Sequence, residues 1–305
     1  PTLTDADVAA ERDLLVAEAR QVADDMFRYP FQLAFAAAFG DAGYGLPVGG
    51  LPETLAGLAG GDARRFHERT LLGPRPVVVA VGDVDPERAA GVLAGVFDSL
   101  PARSSGAAPA PLAWALDSRP VERVVPRDKA QTAVAMVFRG PDRRSPARFA
   151  AEVWAGVASG LGGRIFEALR DRRSLAYTVL ASSWQKGRAG ALVSYIATSP
   201  EREAEARAAM LEELERFVRE PVGAAELEQA VSYLSGQAEV RRQHATSVAA
   251  EILEAWLVGA GLAELEDPGA AYRAVSAEEL QALASACLGR PGRAEGIVRG
   301  TGGGK

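Results

Sequence analysis

The stretch Glu11-Arg-Asp-Leu-Leu-Val-Ala-Glu18 places two carboxylates seven residues apart. In a helix seven residues make nearly two turns, so both acids face one side. Acids placed in this way can ligate a metal or move a proton. Equally, they can form a solvated face screened by Arg12 and Arg20. The chain gives them few partners. Its two histidines are His67, in "RRFHERTL", and His244, in "RRQHATS". Neither has a second histidine or a cysteine at ligand spacing, which excludes a self-sufficient His-rich metal site. Both read as surface or capping residues. The one cysteine, Cys287, rules out an internal disulfide and reads as a small core residue in "LQALASACLG".

Two glycine-containing stretches could suggest phosphate binding. Gly160-Leu-Gly-Gly163 lacks the Walker Lys-Ser/Thr and the dinucleotide spacing, and it follows a helix rather than a strand. It reads as a break that lets helices pack closely. "VVVAVGDVD" has no second glycine fingerprint and reads as a buried strand leading to a helix cap. The net charge of −6 argues against nucleic acid as a partner. No apolar run reaches spanning length, so no transmembrane helix is expected. The compartment stays open.

Helices and strands must position whichever of these residues act. Periodicity predicts a helix over 4–28 capped by Thr4 or Asp5, and a second over 31–39 ended by Gly40. A turn-rich loop and a helical piece at 54–58 follow, and Asp62 can cap the helix "ARRFHERTL". A buried strand is expected within 75–85, then a helix over 86–100 with Asp85 as its cap and Pro86 at its first position. Residues 101–120, rich in Pro, Ala, Ser and Gly, read as a linker from which Trp114 docks on a neighbouring surface. Strands are expected at 121–125 and 131–139, helices at 146–159 and in "RIFEALRDR", and a hairpin of "AYTVLASSWQ" with "GALVSYIAT" around "KGRAG". Helices over 200–219, 224–242, 245–260 and 276–288 and a strand "EGIVRG" complete the chain. The mixture favours an α+β fold, an antiparallel sheet covered by helices. The first hundred residues offer one clear strand, too few for a sheet, so they read as part of a domain whose other strands are elsewhere.

The segment "LGGRIFEALRDRRSLAYTVLASS" (161–183) resembles the pitrilysin/insulinase family of zinc peptidases, which includes the mitochondrial processing peptidases. Its counterpart there reads L-G-G-G-x-S-S-R-L-F-x-E-x-R-E-K-R-G-L-A-Y. "GYGLPVGGLPETLAGL", "VVVAVGDVDPE", "TSPEREAEA", "VGAAELEQAVSYLSGQ" and "YRAVSAEELQALASACL" resemble further family segments in the same order. The resemblance covers nearly the whole chain.

It implies two homologous domains, each an antiparallel sheet with helices, facing each other across a peptide chamber. Residues 1–100 would be the C-terminal part of the first domain, 101–120 the interdomain linker and 121–305 the second domain. The family's first domain carries H-x-x-E-H, which supplies two zinc ligands and a general base. A glutamate further on is the third ligand. By resemblance Glu18 is that ligand, Glu11 the acid supporting the zinc site, and Arg170 and Tyr177 the substrate-binding pair, with Tyr177 donating to the oxyanion. This chain has no H-x-x-E-H. The first domain is therefore expected to be incomplete, with zinc held by the complete protein and none by this chain alone. Alone it is expected not to hydrolyse peptides. The implied partners are a peptide substrate and either the segment carrying H-x-x-E-H or a homologous subunit. The alternatives are a naturally non-catalytic subunit and an interaction scaffold.

Overall fold

The computed structural model describes residues 2–71, 76–98, 112–116, 119–159, 162–259 and 261–302. In chain order the helices are α1 (Asp5–Asp24), α2 (Arg28–Phe39), α3 (Pro52–Ala56), α4 (Gly60–Phe66), α5 (Pro86–Phe97), α6 (Arg148–Ala158), α7 (Arg164–Phe166), α8 (Glu203–Arg219), α9 (Ala224–Arg241), α10 (Ala245–Val258), α11 (Ala270–Arg273) and α12 (Ala277–Cys287). The strands are β1 (Val121–Arg127), β2 (Thr132–Gly140), β3 (Thr178–Gln185), β4 (Gly190–Thr198) and β5 (Ala294–Gly300). The chain divides into two compact units. One comprises Pro1–Ala23, Pro47–Pro111 and Arg241–Leu265, and the other Asp24–Leu46, Leu112–Val240 and Glu266–Lys305.

Local chemistry sets the helix boundaries. Thr4 Oγ1 accepts the Asp7 N–H and so caps α1. The helix expected over 4–28 stops at Asp24, because the Asp25 carboxylate accepts the N–H groups of Phe27 and Arg28 and starts α2. Asp85 caps α5 through the Arg88 N–H, with Pro86 first in the helix, as its spacing predicts. Asp62 sits inside α4 and accepts the Ala59 N–H from within the first turn. Ser276 and Glu279 form a reciprocal capping box on α12.

The second unit is built on a five-stranded sheet of order β1-β5-β2-β4-β3. Four strands pair antiparallel as expected, but β1 lies parallel to β5, its pairing running from Val121↔Ala294 to Arg127↔Gly300. Parallel neighbours need a crossover, and here β2, β3, β4 and the helices from α6 to α12 lie between them in sequence. Both faces of the sheet are covered. On one face Val134, Met136, Phe138, Leu192, Ile196 and Ile297 meet apolar residues of α6, α8 and α12, including Trp154, Phe217 and Leu280. On the other, Ala133, Ala135, Ala191 and Ala294 meet Ala34, Ala38 and Phe39 of α2. β2 therefore alternates in size rather than polarity and is buried on both sides. Small residues let α2 lie directly on the sheet. A Cβ at Gly296 would stand 1.9 Å from the Pro30 carbonyl oxygen. Trp114 docks as expected, its ring centroid 4.3 Å from that of Phe39. Residues 101–111 of the expected linker lie outside the described residues.

The first unit has little core of its own. Among its described residues, Leu55 and Ala255 are the buried apolar side chains, while α1 and α5 bury none. Arg64 joins its parts by donating to the Leu3 carbonyl (2.7 Å) and pairing with Asp5 (3.2 Å). The strand expected within 75–85 is not formed among the described residues. Residues 76–81 pair with no strand, and Val77, Val78 and Val81 are exposed. A strand needs a neighbour to satisfy its backbone groups, and among the described residues this stretch has none.

Candidate functional site

Arg170 and Tyr177 flank one turn of the second unit. α6 ends at Ser159, and the chain re-enters helix at Gly163 so close to α6 that a Cβ there would lie 2.8 Å from the Ala158 carbonyl oxygen. Gly163 thus acts as the close-packing break that "GLGG" suggests, while Gly160 and Leu161 lie outside the described residues. From α7 the helix widens over Glu167–Arg172 and stops at Ser174, whose φ of 48° turns the backbone left-handed. Ser174 and Leu175 donate their N–H groups to the carbonyls of Arg170 (3.1 Å) and Leu169 (2.8 Å). Their own carbonyls are held in turn by Arg202 Nη1 (2.8 Å) and Thr198 Oγ1 (2.7 Å). Leu175 and Ala176 are buried, and β3 begins at Thr178. Tyr177 is held between these anchors with its side chain 80% exposed. The Arg170 guanidinium lies 4.7 Å from the Phe166 ring centroid, a cation–π contact that uses none of its N–H donors. Among the described residues the N–H and O–H donors of both side chains meet no partner, and they suit peptide carbonyls or a developing oxyanion.

Glu11 and Glu18 belong to the other unit, both exposed on α1. Seven residues at helical rise set them roughly 10 Å apart along the axis. The neighbouring Arg12 pairs with Asp13 and donates to the Leu58 carbonyl (3.3 Å). No group of three or more His, Cys, Asp or Glu able to hold a metal exists among the described residues. Tetrahedral zinc takes at least three protein ligands. One carboxylate on a solvated helix does not amount to a zinc site, so the residues present do not fit the ion without further ligands.

Sequence reasoning missed a cleft of about 1000 Å³ beside the Gly163 break. Its walls are α6 (Glu152, Gly156), β3 (Leu180, Ser182, Ser183) and α9 (Gln229, Tyr233, Gln237). Glu226 also lines it and is held in a two-point pair by Arg164, both contacts at 2.7 Å. The Arg164 hydrogen bonds outweigh desolvation and hold the Glu226 carboxyl below its ordinary value. Glu152 accepts the Tyr272 hydroxyl. The polar residues of α9 recur every four positions, and that spacing was the available signal.

The comparisons with known proteins agree with this architecture. The family described as peptidase M16 inactive domain matches residues 60–234, more than half the chain. An uncharacterized zinc protease of Mycobacterium tuberculosis is 31% identical over 222 residues, covering 72% of this chain and 51% of that protein. The chain thus spans about half the length of the curated relatives it matches. Among solved structures, a protease from Helicobacter pylori superposes with a TM-score of 0.84 at 18% identity, over 97% of this chain and 72% of the other. A peptidase M16 inactive domain from Pseudomonas fluorescens superposes at 0.85 and 18% identity, over 99% and 72%. These structures share the α+β fold, and the sequence matches establish the lineage: the chain belongs to the M16, or pitrilysin-type, peptidase family.

Proposed function

We propose that this chain is the peptide-binding portion of a two-domain zinc metallopeptidase, inactive alone, with Arg170 and Tyr177 as its substrate contacts. The observation that carries this reading is the clamped turn, which fixes its backbone with four hydrogen bonds yet leaves the Tyr177 phenol exposed. Such a fixed but exposed donor suits transition-state stabilisation, since it needs no reorganisation when charge develops. In the complete site Tyr177 donates to the carbonyl oxygen under attack, and Arg170 holds a neighbouring peptide carbonyl. Glu18 would be one ligand of a zinc ion, with Glu11 supporting it. Zinc, when bound, supplies a nucleophilic water at neutral pH and polarises the scissile carbonyl.

The histidine ligands and the general base would come from a segment bearing H-x-x-E-H, completing a first domain that faces the second across a peptide chamber. Supporting this, residues 76–81 are unpaired and the helix after them buries no residue. The test is reconstitution. The chain alone should bind no stoichiometric zinc and cleave no peptide, and adding the family's H-x-x-E-H segment should give both, dependent on Glu18. Peptide cleavage by the purified chain alone would refute the reading.

A second reading, a naturally non-catalytic subunit paired with an active partner, is favoured by the match to the inactive domain. Retention of both Glu11 and Glu18 weighs toward the first. Copurification with a separate H-x-x-E-H protein distinguishes them.

A further inference from the structure

A separate cavity of about 370 Å³ opens where β2, α8 and the connection from α12 to β5 meet. It shares no residue with the cleft described above. Its floor is apolar: Phe138 of β2, Leu214 of α8 and Leu288 after α12 line it and are buried. Leu214 and Val218, four apart on α8, continue that wall, and Glu215 and Arg219 stand beside them along the rim. The chain leaves α12 through Gly289, where a Cβ would lie 2.6 Å from the Ser285 carbonyl oxygen. That close turn brings Arg290 and Arg293 to the cavity from the other side.

Three arginines and one carboxylate thus border an apolar floor. Arg293 is engaged by the buried Glu295 (2.6 Å). Glu213 and Glu220, further carboxylates of α8, are held by Arg216, each at 2.9 Å. Among the described residues the guanidinium groups of Arg219 and Arg290 donate to no acceptor. Set against Glu215, these two cations leave an excess of one positive charge. A cation near a helix C-terminus is favourable by itself. That accounts for each arginine singly, but not for an apolar cavity that both of them border.

We infer that this cavity binds a small monocarboxylate with an apolar body. The tail lies on Phe138, Leu214 and Leu288, and the carboxylate meets Arg219 and Arg290. A guanidinium matches a carboxylate in geometry and charge. An excess of one charge suits a monoanion better than a phosphate. The volume holds roughly a dozen water-sized groups, which suits an acid of about eight carbons. The site stands apart from the peptide-binding reading and does not depend on it.

The probe is octanoate, titrated into the full chain at low salt and followed by ligand-detected NMR. It should bind saturably, about tenfold more tightly than octan-1-ol, which lacks the charge, or acetate, which lacks the tail. Raising salt should weaken octanoate and leave octan-1-ol unchanged. Arg219→Gln with Arg290→Gln should weaken octanoate about tenfold while the thermal midpoint holds, both residues being exposed. Octanoate binding no more tightly than octan-1-ol, a comparison that needs no variant, would overturn the proposal. So would equal octanoate affinity in parent and double variant, or no saturable binding at all.

Discussion

Ser174 holds a backbone conformation that L-residues with a Cβ avoid. The resembling family segment has glycine at this place. Ser174→Gly should therefore stabilise the chain by about 1 kcal/mol, the relieved strain exceeding the added freedom of the unfolded chain. Urea unfolding checks it, and a loss of stability would mean the serine side chain is needed. Thr198→Val should do the opposite. It strands the buried Leu175 carbonyl and should cost about 1–2 kcal/mol. Because that bond anchors the turn, peptide affinity should fall with it. Tyr177→Phe should leave stability unchanged, the residue being exposed, and lower peptide affinity alone. Unchanged affinity in that variant would remove Tyr177 from the substrate contacts. Sequence reading placed Tyr177 at the start of a strand, and it stands immediately before β3. It could not place the turn's anchors, because Thr198 and Arg202 reach Leu175 and Ser174 across more than twenty residues.

Individual elements were legible where their signals were local. Asp85-Pro86 marked the start of α5, and the hairpin of β3 and β4 followed from its turn. The failures have a common physical source, the partner an element packs against. "VVVAVGDVD" has strand composition but, among the described residues, no neighbour to bond, so it forms no strand there. α2 is largely apolar because it lies on the sheet, which no periodicity within the first forty residues reveals. One buried hydroxyl ties that helix down. Tyr195 of β4 donates to the Met26 carbonyl (2.8 Å), just before α2. Burial, then the nearby Asp25 charge, pushes its phenol up to about 12 from an ordinary 10.0. In the unfolded chain the phenol loses its proton at lower pH than in the folded one. The stabilisation is thus complete below about pH 10 and is lost as pH rises toward 12. Alkaline unfolding should steepen in that window, and Tyr195→Phe should flatten it. An unaltered alkaline profile in the variant would show that another group governs it.

At the scale of the whole molecule the two units differ in how far they are self-contained. The sheet unit buries nearly all the chain's apolar core, while the other exposes apolar residues along 77–84 and on α5, where Val92 and Val96 are 62% and 59% exposed. Isolated exposed apolar residues are ordinary, but here they fall on one unpaired stretch and the helix after it. The family resemblance explains the pattern if the remaining strands of the first domain come from the H-x-x-E-H segment and cover these valines. This separates two states of one variant. Changing Val92 and Val96 together to Lys should shift the stability of the chain alone by no more than about 0.5 kcal/mol, because nothing is lost from a surface already in water. With the H-x-x-E-H segment added, the same variant should fail to gain the thermal stabilisation that the parent chain gains, because two charges would then have to be buried. Differential scanning fluorimetry with and without the segment reads both arms. A large destabilisation of the chain alone would show that the valines already pack in it, and an equal gain for variant and parent would show that α5 is not the surface the segment covers.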